Sequence, residues 1–347
     1  MAAVRAEEQI VEETYDVVVI GGGAAGLSGA LALSRARRSV LVVDSGTPRN
    51  APAGHVHNYL AREGTPPGEL LAAGRAEVAG YGGHVEPGEA VSARPAADGF
   101  VVDLADGRSV RARRLLVTTG LVDELPAVPG VRELWGGDVL HCPYCHGWEV
   151  RDRAIGVLAT NPFGVHQALM WRQWSADVTL FLHTAPEPTD EEWEQLAARG
   201  ISVVTGEVAE LETDGARLSG VRLVDGTRIA RDAVVVAPRF TARSAVLASL
   251  GLAPVTHEMN GHLMGSAVPS GPSGATAVPG VWVAGNVTDL RAQVIVSAAA
   301  GLEAAAALNG DLIGEDTRRA LAARRVFSAG SERELCDLVL GDRRHGI

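Results

Sequence analysis

Val17-Val18-Val19-Ile20-Gly21-Gly22-Gly23-Ala24-Ala25-Gly26 opens the first legible unit of this 347-residue chain, and Val40-Leu41-Val42-Val43-Asp44 closes it. Four apolar residues in a row, with no polar alternation, predict a parallel strand buried on both faces. Gly21, Gly23 and Gly26 then form G-x-G-x-x-G, and a helical stretch runs to about Arg37, with Arg35, Arg37 and Arg38 near the negative end of its dipole. The order of strand, glycine loop, helix and second strand ending in a carboxylate predicts a dinucleotide-type unit. Glycines permit the tight turn and the close approach of a pyrophosphate, the helix N-terminus attracts its charge, and Asp44 accepts from a ribose hydroxyl. The glycine spacing alone is weak; its register with the other parts carries the reading.

Working outward, the same order recurs. Residues 101–104 and 110–113 flank the hairpin-turn pair Asp106-Gly107, and the apolar run 115–117 ends at Thr118-Thr119-Gly120. Later, residues 221–224, the pair Asp225-Gly226 and the run 233–237 repeat it. A gapless shift of 138 residues lays Ile155–Leu158 over the first strand and Val178–Phe181 over residues 40–43. Residues 281–284, with the Ala-rich stretch 294–308, read as a return segment that finishes the first domain. The expectation is an α/β protein of two Rossmann-like three-layer domains. The first is discontinuous, in residues 1–122 and 241–314; a degenerate NAD(P)-type domain is inserted at 123–240, and a helical extension follows at 315–347. In that extension Ser331 and Glu334 have capping-box spacing before Leu335, Leu338 and Val339.

Composition narrows the function. A hydrophobic share of 46% is enough for two cores, and a net charge of −11 argues against nucleic acid and anionic membranes. The chain has no lysine, which excludes Schiff-base and Walker-type lysine chemistry. Residues 1–13 are acidic and lack the order of a signal peptide, and no apolar run reaches bilayer length, so a cytoplasmic protein is predicted. Three cysteines in that compartment do not make a disulfide framework; a close pair reads as redox-active or metal-binding.

That pair lies in His141-Cys142-Pro143-Tyr144-Cys145-His146-Gly147-Trp148-Glu149. Cysteines three apart close a small, reactive disulfide, and adjacent imidazoles stabilise thiolate or move protons. Zinc is the rival reading, but His141 and His146 directly abut the cysteines and no second spaced pair exists, so no metal is expected. Cys336 reads as a packed helical residue.

From about Tyr15 to Leu312 the chain resembles the low-molecular-weight thioredoxin reductases, which are FAD enzymes. Where that family carries A-G-D against the ribitol, this sequence has Ala284-Gly285-Asn286, which loses a charge but keeps an acceptor. Gln293-Val294 then opens a helix whose dipole suits an anionic reduced flavin. Val56-His57-Asn58-Tyr59 is similar to the family's V-E-N-W segment and implies that Asn58 lies near the flavin; Arg49, Asn50 and Gly120 complete the expected cofactor set. The C-x-x-C, shortly after Val128-Pro129-Gly130, matches the family's redox segment. Thioredoxin reductases follow the second cysteine with Asp-Gly; His146-Gly147-Trp148-Glu149 looks more like the dithiol oxidases of gliotoxin and holomycin type. By that resemblance Cys145 lies against the flavin, Cys142 exchanges with substrate, and His146 or His141 is the general base. It also implies a homodimer.

Whether a nicotinamide takes part is read from the repeat. Under the 138-residue shift Gly21 falls on Ala159, Gly23 on Asn161, Gly26 on Gly164 and Asp44 on Leu182. Pro162 deletes a backbone N–H, and Leu182-His183-Thr184-Ala185-Pro186 stands where NADPH-using relatives carry arginines. The second domain is therefore expected to be a scaffold, with NADPH left as a doubtful cofactor. The leading expectation is oxidation of a small-molecule dithiol or thiol, with O2 as acceptor. An NADPH-dependent thioredoxin reductase and a non-catalytic redox-sensing flavoprotein are the alternatives.

Overall fold

The computed structural model describes residues 14–259, 262–325 and 329–340; the acidic stretch 1–13 lies outside them. In the first domain, strand Thr14–Ile20 lies between two parallel neighbours, Val40–Asp44 (Val17 opposite Val40) and Ser109–Val117 (Ile20 opposite Val117). His84–Pro87 extends the sheet beyond Val40–Asp44, and Gly99–Leu104 pairs antiparallel with the first half of Ser109–Val117. The return strand Val281–Val283 adds to the second half of that strand, Val281 opposite Leu115.

The unbroken apolar runs have a direct cause in the packing. Val18, Ile20, Leu41, Val43, Leu115 and Val117 face one core, while Val17, Val19, Val40, Val42 and Leu116 face another, beneath helices Ala24–Arg35 and Val294–Arg325. Alternate residues therefore serve opposite cores, so within the runs 17–20, 40–43 and 115–117 no position is left for a polar side chain.

The second domain repeats the plan with a parallel sheet in the order Ser202–Val204, Val178–Phe181, Ile155–Leu158, Ala233–Val236, Val139–Leu140. One face carries a core that takes in Val165, Ala168 and Trp171 of helix Phe163–Trp171 and Leu196 of helix Asp190–Ala198. The other packs on an antiparallel sheet of Val208–Asp214, Arg217–Leu223 and Arg228–Ile229. The fold is thus the α/β, two-domain Rossmann-like arrangement read from the repeat.

Three features differ from the sequence reading. The chain passes between the domains along Leu121–Glu124 and Arg239–Ala242, which pair antiparallel within a four-stranded sheet that the apolar pattern did not suggest. The helix from Ala24 stops at Arg35, with Arg37 left-handed at φ 64°, and Arg38 turns to Asn309 and Asp316, at 2.8 Å each, instead of serving its own helix dipole. The helix from Val294 runs unbroken past residue 314 to Arg325. Its charged second half is held by Arg114 on Asp311 and Glu315, and by Arg38 and Arg113 on Asp316. The final helix is Ala329–Leu340, so Ser331 lies inside its first turn and is not its N-cap.

Candidate active site

A cavity of about 1650 Å³ runs from the first glycine loop, past the cysteine pair, to the equivalent loop of the second domain. At its first end Gly21 is left-handed at φ 107°, and a Cβ there would lie 2.6 Å from the Thr118 carbonyl oxygen. Thr118 Oγ1 in turn donates to the carbonyls of Ile20 and Gly21, at 3.1 and 2.8 Å. Gly26 lies behind the wall, where a Cβ would meet the Gly21 oxygen at 1.9 Å. It is the glycine that lets the helix sit on the loop. Gly23 is different: it lines the cavity, caps the helix with no side-chain bond, and a Cβ on it would meet nothing within 4 Å. The first-turn N–H groups of Ala24–Arg35, which have no intrahelical acceptor, thus open onto free space beside Asp44.

The far wall of this end comes from the return segment. Gly285, at φ 76°, Asn286, Gln293, Val294 and Ser297 line it, so the N-terminus of the long helix faces the cavity. Asn286 Nδ2 donates to the Asp289 and Ala292 carbonyls at 2.9 Å, and its Oδ1 accepts from Arg49 Nη1 at 3.3 Å. Arg49 grips Asp123 with two bonds, Nε to Oδ2 at 2.7 Å and Nη2 to Oδ1 at 2.6 Å. Its guanidinium also stacks on Phe240, 5.1 Å from the ring centroid, and His141 meets that ring edge-on at 5.1 Å. Asp123 and Phe240 sit opposite each other on the two linker strands. Sequence reasoning missed both, since a four-residue linker strand carries no periodic signal.

The redox segment forms one tight turn. Cys142 is the N-cap of the short helix Pro143–His146, and the backbone N–H groups of Cys145 and His146 donate to its carbonyl at 3.1 and 3.2 Å. That turn brings the sulfurs together, with Cys145 Sγ donating to Cys142 Sγ at 2.6 Å. This bond, with the N–H groups of Cys145 and Tyr144 and the Arg49 cation, draws Cys142 down to about 7 against the opposing effect of burial. Cys145 is pushed up, by donating that bond and by burial. Cys142 is therefore the sulfur that ionises first.

The histidines divide in character. His141 lines the cavity, but burial, aided by the Arg49 cation, drives it down to about 4, and its Nδ1 is buried with no partner. It stays neutral throughout the physiological range. His146, also in the wall, is lowered by burial, while Glu149 works to keep it charged. Asn58 is not in the cavity wall; from a left-handed φ of 59° its side-chain N–H donates to the Tyr144 carbonyl at 2.5 Å, tying the loop to the redox turn. Arg49, Asn50 and Gly120 do line the cavity. Among the described residues no group of three His, Cys, Asp or Glu side chains is placed to hold a metal.

At the second domain's end the wall is Pro162, Phe163, His166, Gln167 and Met170. Asn161 Oδ1 accepts from the Phe163 N–H at 2.9 Å, and the Asn161 carbonyl accepts from the Gly164 N–H at 3.2 Å. Pro162 has no N–H, and the Phe163 and Gly164 N–H groups are already taken by Asn161. Leu182, in the position equivalent to Asp44, is buried.

The chain is similar to known proteins in sequence and in fold. The pyridine nucleotide-disulphide oxidoreductase family matches residues 15–304. Thioredoxin reductase tcpT of Claviceps purpurea is 30% identical over 291 residues, covering 78% of this chain and 86% of its own. The crystal structure of HlmI superposes with a TM-score of 0.83 at 47% identity, covering 90% of this chain and 97% of that one. An oxidoreductase from Agrobacterium tumefaciens gives 0.80 at 35% identity, covering 86% and 99%.

FAD, the cofactor of this family's thioredoxin reductase-like members, fits the first loop: an open Gly23, unpaired helix N–H groups, Asp44 beside them and a second helix N-terminus opposite. The cavity also exceeds the ~300–1000 Å³ of a single small-molecule site, so a second ligand has room by the cysteines. Among the described residues no helix is long and apolar enough to cross a membrane. The fold, the sulfur pair and the matched relatives agree: the chain belongs to the pyridine nucleotide-disulphide oxidoreductase family and is an FAD-dependent disulfide oxidoreductase.

Proposed function

We propose that the chain is a dithiol oxidase that makes a disulfide in a small-molecule dithiol and passes the electrons to O2. One observation carries the direction: the two sulfurs share a cavity with the intact first glycine loop, whereas the second loop satisfies its own N–H groups through Asn161. This supports electrons leaving at the first loop's flavin site and not entering from a nicotinamide at the second loop.

In the proposed reaction a substrate thiolate bonds to Cys142 Sγ as the Cys142–Cys145 bond breaks, and the electron pair goes to Cys145. The second substrate thiolate bonds the first substrate sulfur, and Cys142 leaves with its bonding pair. Bound FAD supplies the two-electron acceptor. The depressed Cys142 makes it the better leaving thiolate, in keeping with a role facing substrate. His146 is the proposed base; His141, held neutral, is the weaker candidate. Tyr144 and Trp148 are exposed at the turn, and Tyr144 stacks edge-on with Trp174 at 5.6 Å, which suits a flat heterocyclic dithiol. The proposed assembly is a cytoplasmic homodimer, supported by the resemblance and by exposed Ile295, Leu302 and Ile313, which helical spacing puts on one stripe of the long helix.

The test mixes the purified protein anaerobically with dithiothreitol or NADPH and follows flavin absorbance. Rapid bleaching by the dithiol alone is expected; bleaching by NADPH with an inert dithiol makes the chain an NADPH-dependent disulfide reductase instead. Cys145→Ser should retain FAD and lose thiol-driven bleaching by at least ~1000-fold, as expected for a residue that carries the electron pair.

A further inference from the structure

A dithiol that becomes a disulfide sheds two protons, and the cysteine pair has a place for one. In the reduced pair that proton stays on Cys145, whose sulfur lies against that of Cys142 and is pushed up by it and by burial. With Cys142 drawn down to about 7 and Cys145 pushed up, the pair holds between one and two protons near neutrality and approaches one as pH rises. Both sulfurs are partly buried, so the other proton needs a way out.

Behind His146 lies a second, smaller cavity of about 130 Å³. His146 and His57 line both this cavity and the main one, and Glu149 lines the smaller. Its volume accepts a short chain of waters at ~30 Å³ each. His57 Nδ1 lies 2.5 Å from Glu63 Oε1, and Nε2 lies 3.5 Å from Glu149 Oε1. The His57 side chain is only 18% exposed, whereas Glu63 and Glu149 are 64% and 41% exposed. The imidazole thus stands between the side cavity that His146 lines and carboxylates that meet bulk water.

We propose that His57, backed by Glu149 and Glu63, is the proton exit of the redox pair: His146 collects the proton from the substrate thiol, and His57 relays it through the side cavity to the surface. This deepens the dithiol-oxidase reading and rests on it. A substrate S–H gives its proton to His146, its sulfur bonds Cys142 Sγ, and the electron pair of the Cys142–Cys145 bond goes to Cys145. The second substrate S–H loses its proton, the two substrate sulfurs bond, and Cys142 keeps the pair from the bond it loses. Two electrons and one proton stay on the cysteines; the remaining proton leaves through His146 and His57. The charged and titratable groups facing these imidazoles are Glu63 and His55 from the loop, and Glu149 and His141 from the redox segment. His57 acts through His146 and is a positioning residue.

The experiment uses the FAD-loaded protein in weak buffer with phenol red, reduced anaerobically by dithiothreitol in a stopped-flow instrument. With one dithiothreitol per flavin, wild type should release about one proton per flavin bleached, in step with bleaching. In His57→Ala both signals should slow by ~tenfold near neutrality, with the pH profile displaced, and added imidazole should restore the rate. The dithiol concentration for half-maximal rate should stay within about twofold. Glu149→Gln, which keeps shape, should give a smaller displacement of the same sign. A flavin-independent readout is thionitrobenzoate release from an aromatic disulfide by the reduced protein, whose pH profile should move likewise. A wild-type pH profile in both variants overturns the exit, as does a slowing in His57→Ala that imidazole does not relieve. If wild type bleaches with NADPH and ignores the dithiol, the oxidase reading falls on its own. The same variants are then read for proton uptake from a reduced pair attacking oxidised dithiothreitol, where an unchanged profile sinks the exit too.

Discussion

The two glycine loops descend from one plan and keep different halves of it. In both, the glycine that lets the helix sit on its strand survives: a Cβ on Gly26 would lie 1.9 Å from the Gly21 oxygen, and one on Gly164 would lie 2.3 Å from Ala159 Cβ. The glycine that faces the ligand survives only in the first. Gly23 opens onto the cavity, while its counterpart Asn161 turns its side chain onto the Phe163 N–H. Packing glycines are needed by the fold whatever the loop binds, whereas a ligand glycine is free to change once the ligand is gone. The second loop thus keeps the packing glycine, places Asn161 on the Phe163 N–H where the first loop is open, and lines the shared cavity with Phe163 and His166, rings 5.0 Å apart.

The largest expected effect comes from writing the second loop's residue into the first. Gly23 has φ −77° and ψ −174°, a conformation open to any residue, and its Cβ direction is clear, so Gly23→Asn should fold normally. Asparagine is also a favourable N-cap. It should cap the Ala25 N–H as Asn161 caps Phe163, removing a pyrophosphate donor and filling its space, and weaken FAD binding by ~100-fold or more. Cofactor content after gel filtration, beside an unchanged circular dichroism melt, measures this. A fully yellow variant would show that the middle glycine is not what separates the loops.

Next in size is the acidic partner. Asp44→Leu copies Leu182 and removes the carboxylate expected on the ribose, so FAD affinity should fall by ~10–100-fold, the range for a lost charge-assisted hydrogen bond. Titration of apoprotein with FAD, followed by flavin fluorescence, reads it directly. An affinity unchanged from wild type would make Leu182 uninformative about the second domain's ligand.

These contrasts were readable in the chain because strand and loop signals are local. Residues 17–20 and Ile155–Leu158 announce buried strands by continuous apolarity, and the sulfur pair is set three residues apart on one turn. What stayed hidden depends on distant partners. Arg49 meets Asp123 across 74 residues, and Asn58 reaches the Tyr144 carbonyl across 86, with no pattern in either neighbourhood to mark the pairing. The Ala-rich stretch 294–308 and the extension from 315 were read as separate helical segments, whereas one helix runs through both. Ion pairs from Arg113 and Arg114 to residues 311–316 hold it across the junction.

A smaller effect tests the electrostatic side of the comparison. Of the charged groups that act on both sulfurs, Arg49 comes from the first domain, and none comes from the second loop. Removing it alone would strand Asp123, whose side chain is 8% exposed, so Arg49→Met is paired with Asp123→Asn. Losing a cation disfavours thiolate, so the pH midpoint for alkylation of the reduced protein by iodoacetamide, expected at about 7 for Cys142, should move upward. A downward move would mean that the cation does not act on this sulfur.

The reverse graft is expected to change least, and for that reason it bears most directly on the second loop. Asn161→Gly with Pro162→Ala frees the Phe163 N–H and restores the one that Pro162 lacks, giving back two donors. It does not give back a ribose acceptor, since Leu182 is buried where Asp44 stands in the first domain, and the Phe163 ring still lines the cavity. NADPH-driven bleaching should therefore stay undetectable, while dithiol-driven bleaching stays within about twofold of wild type, because neither residue touches the sulfurs. If instead this double variant bleaches with NADPH, two residues alone closed the second site, and the domain is a nucleotide site shut by its loop and not a scaffold.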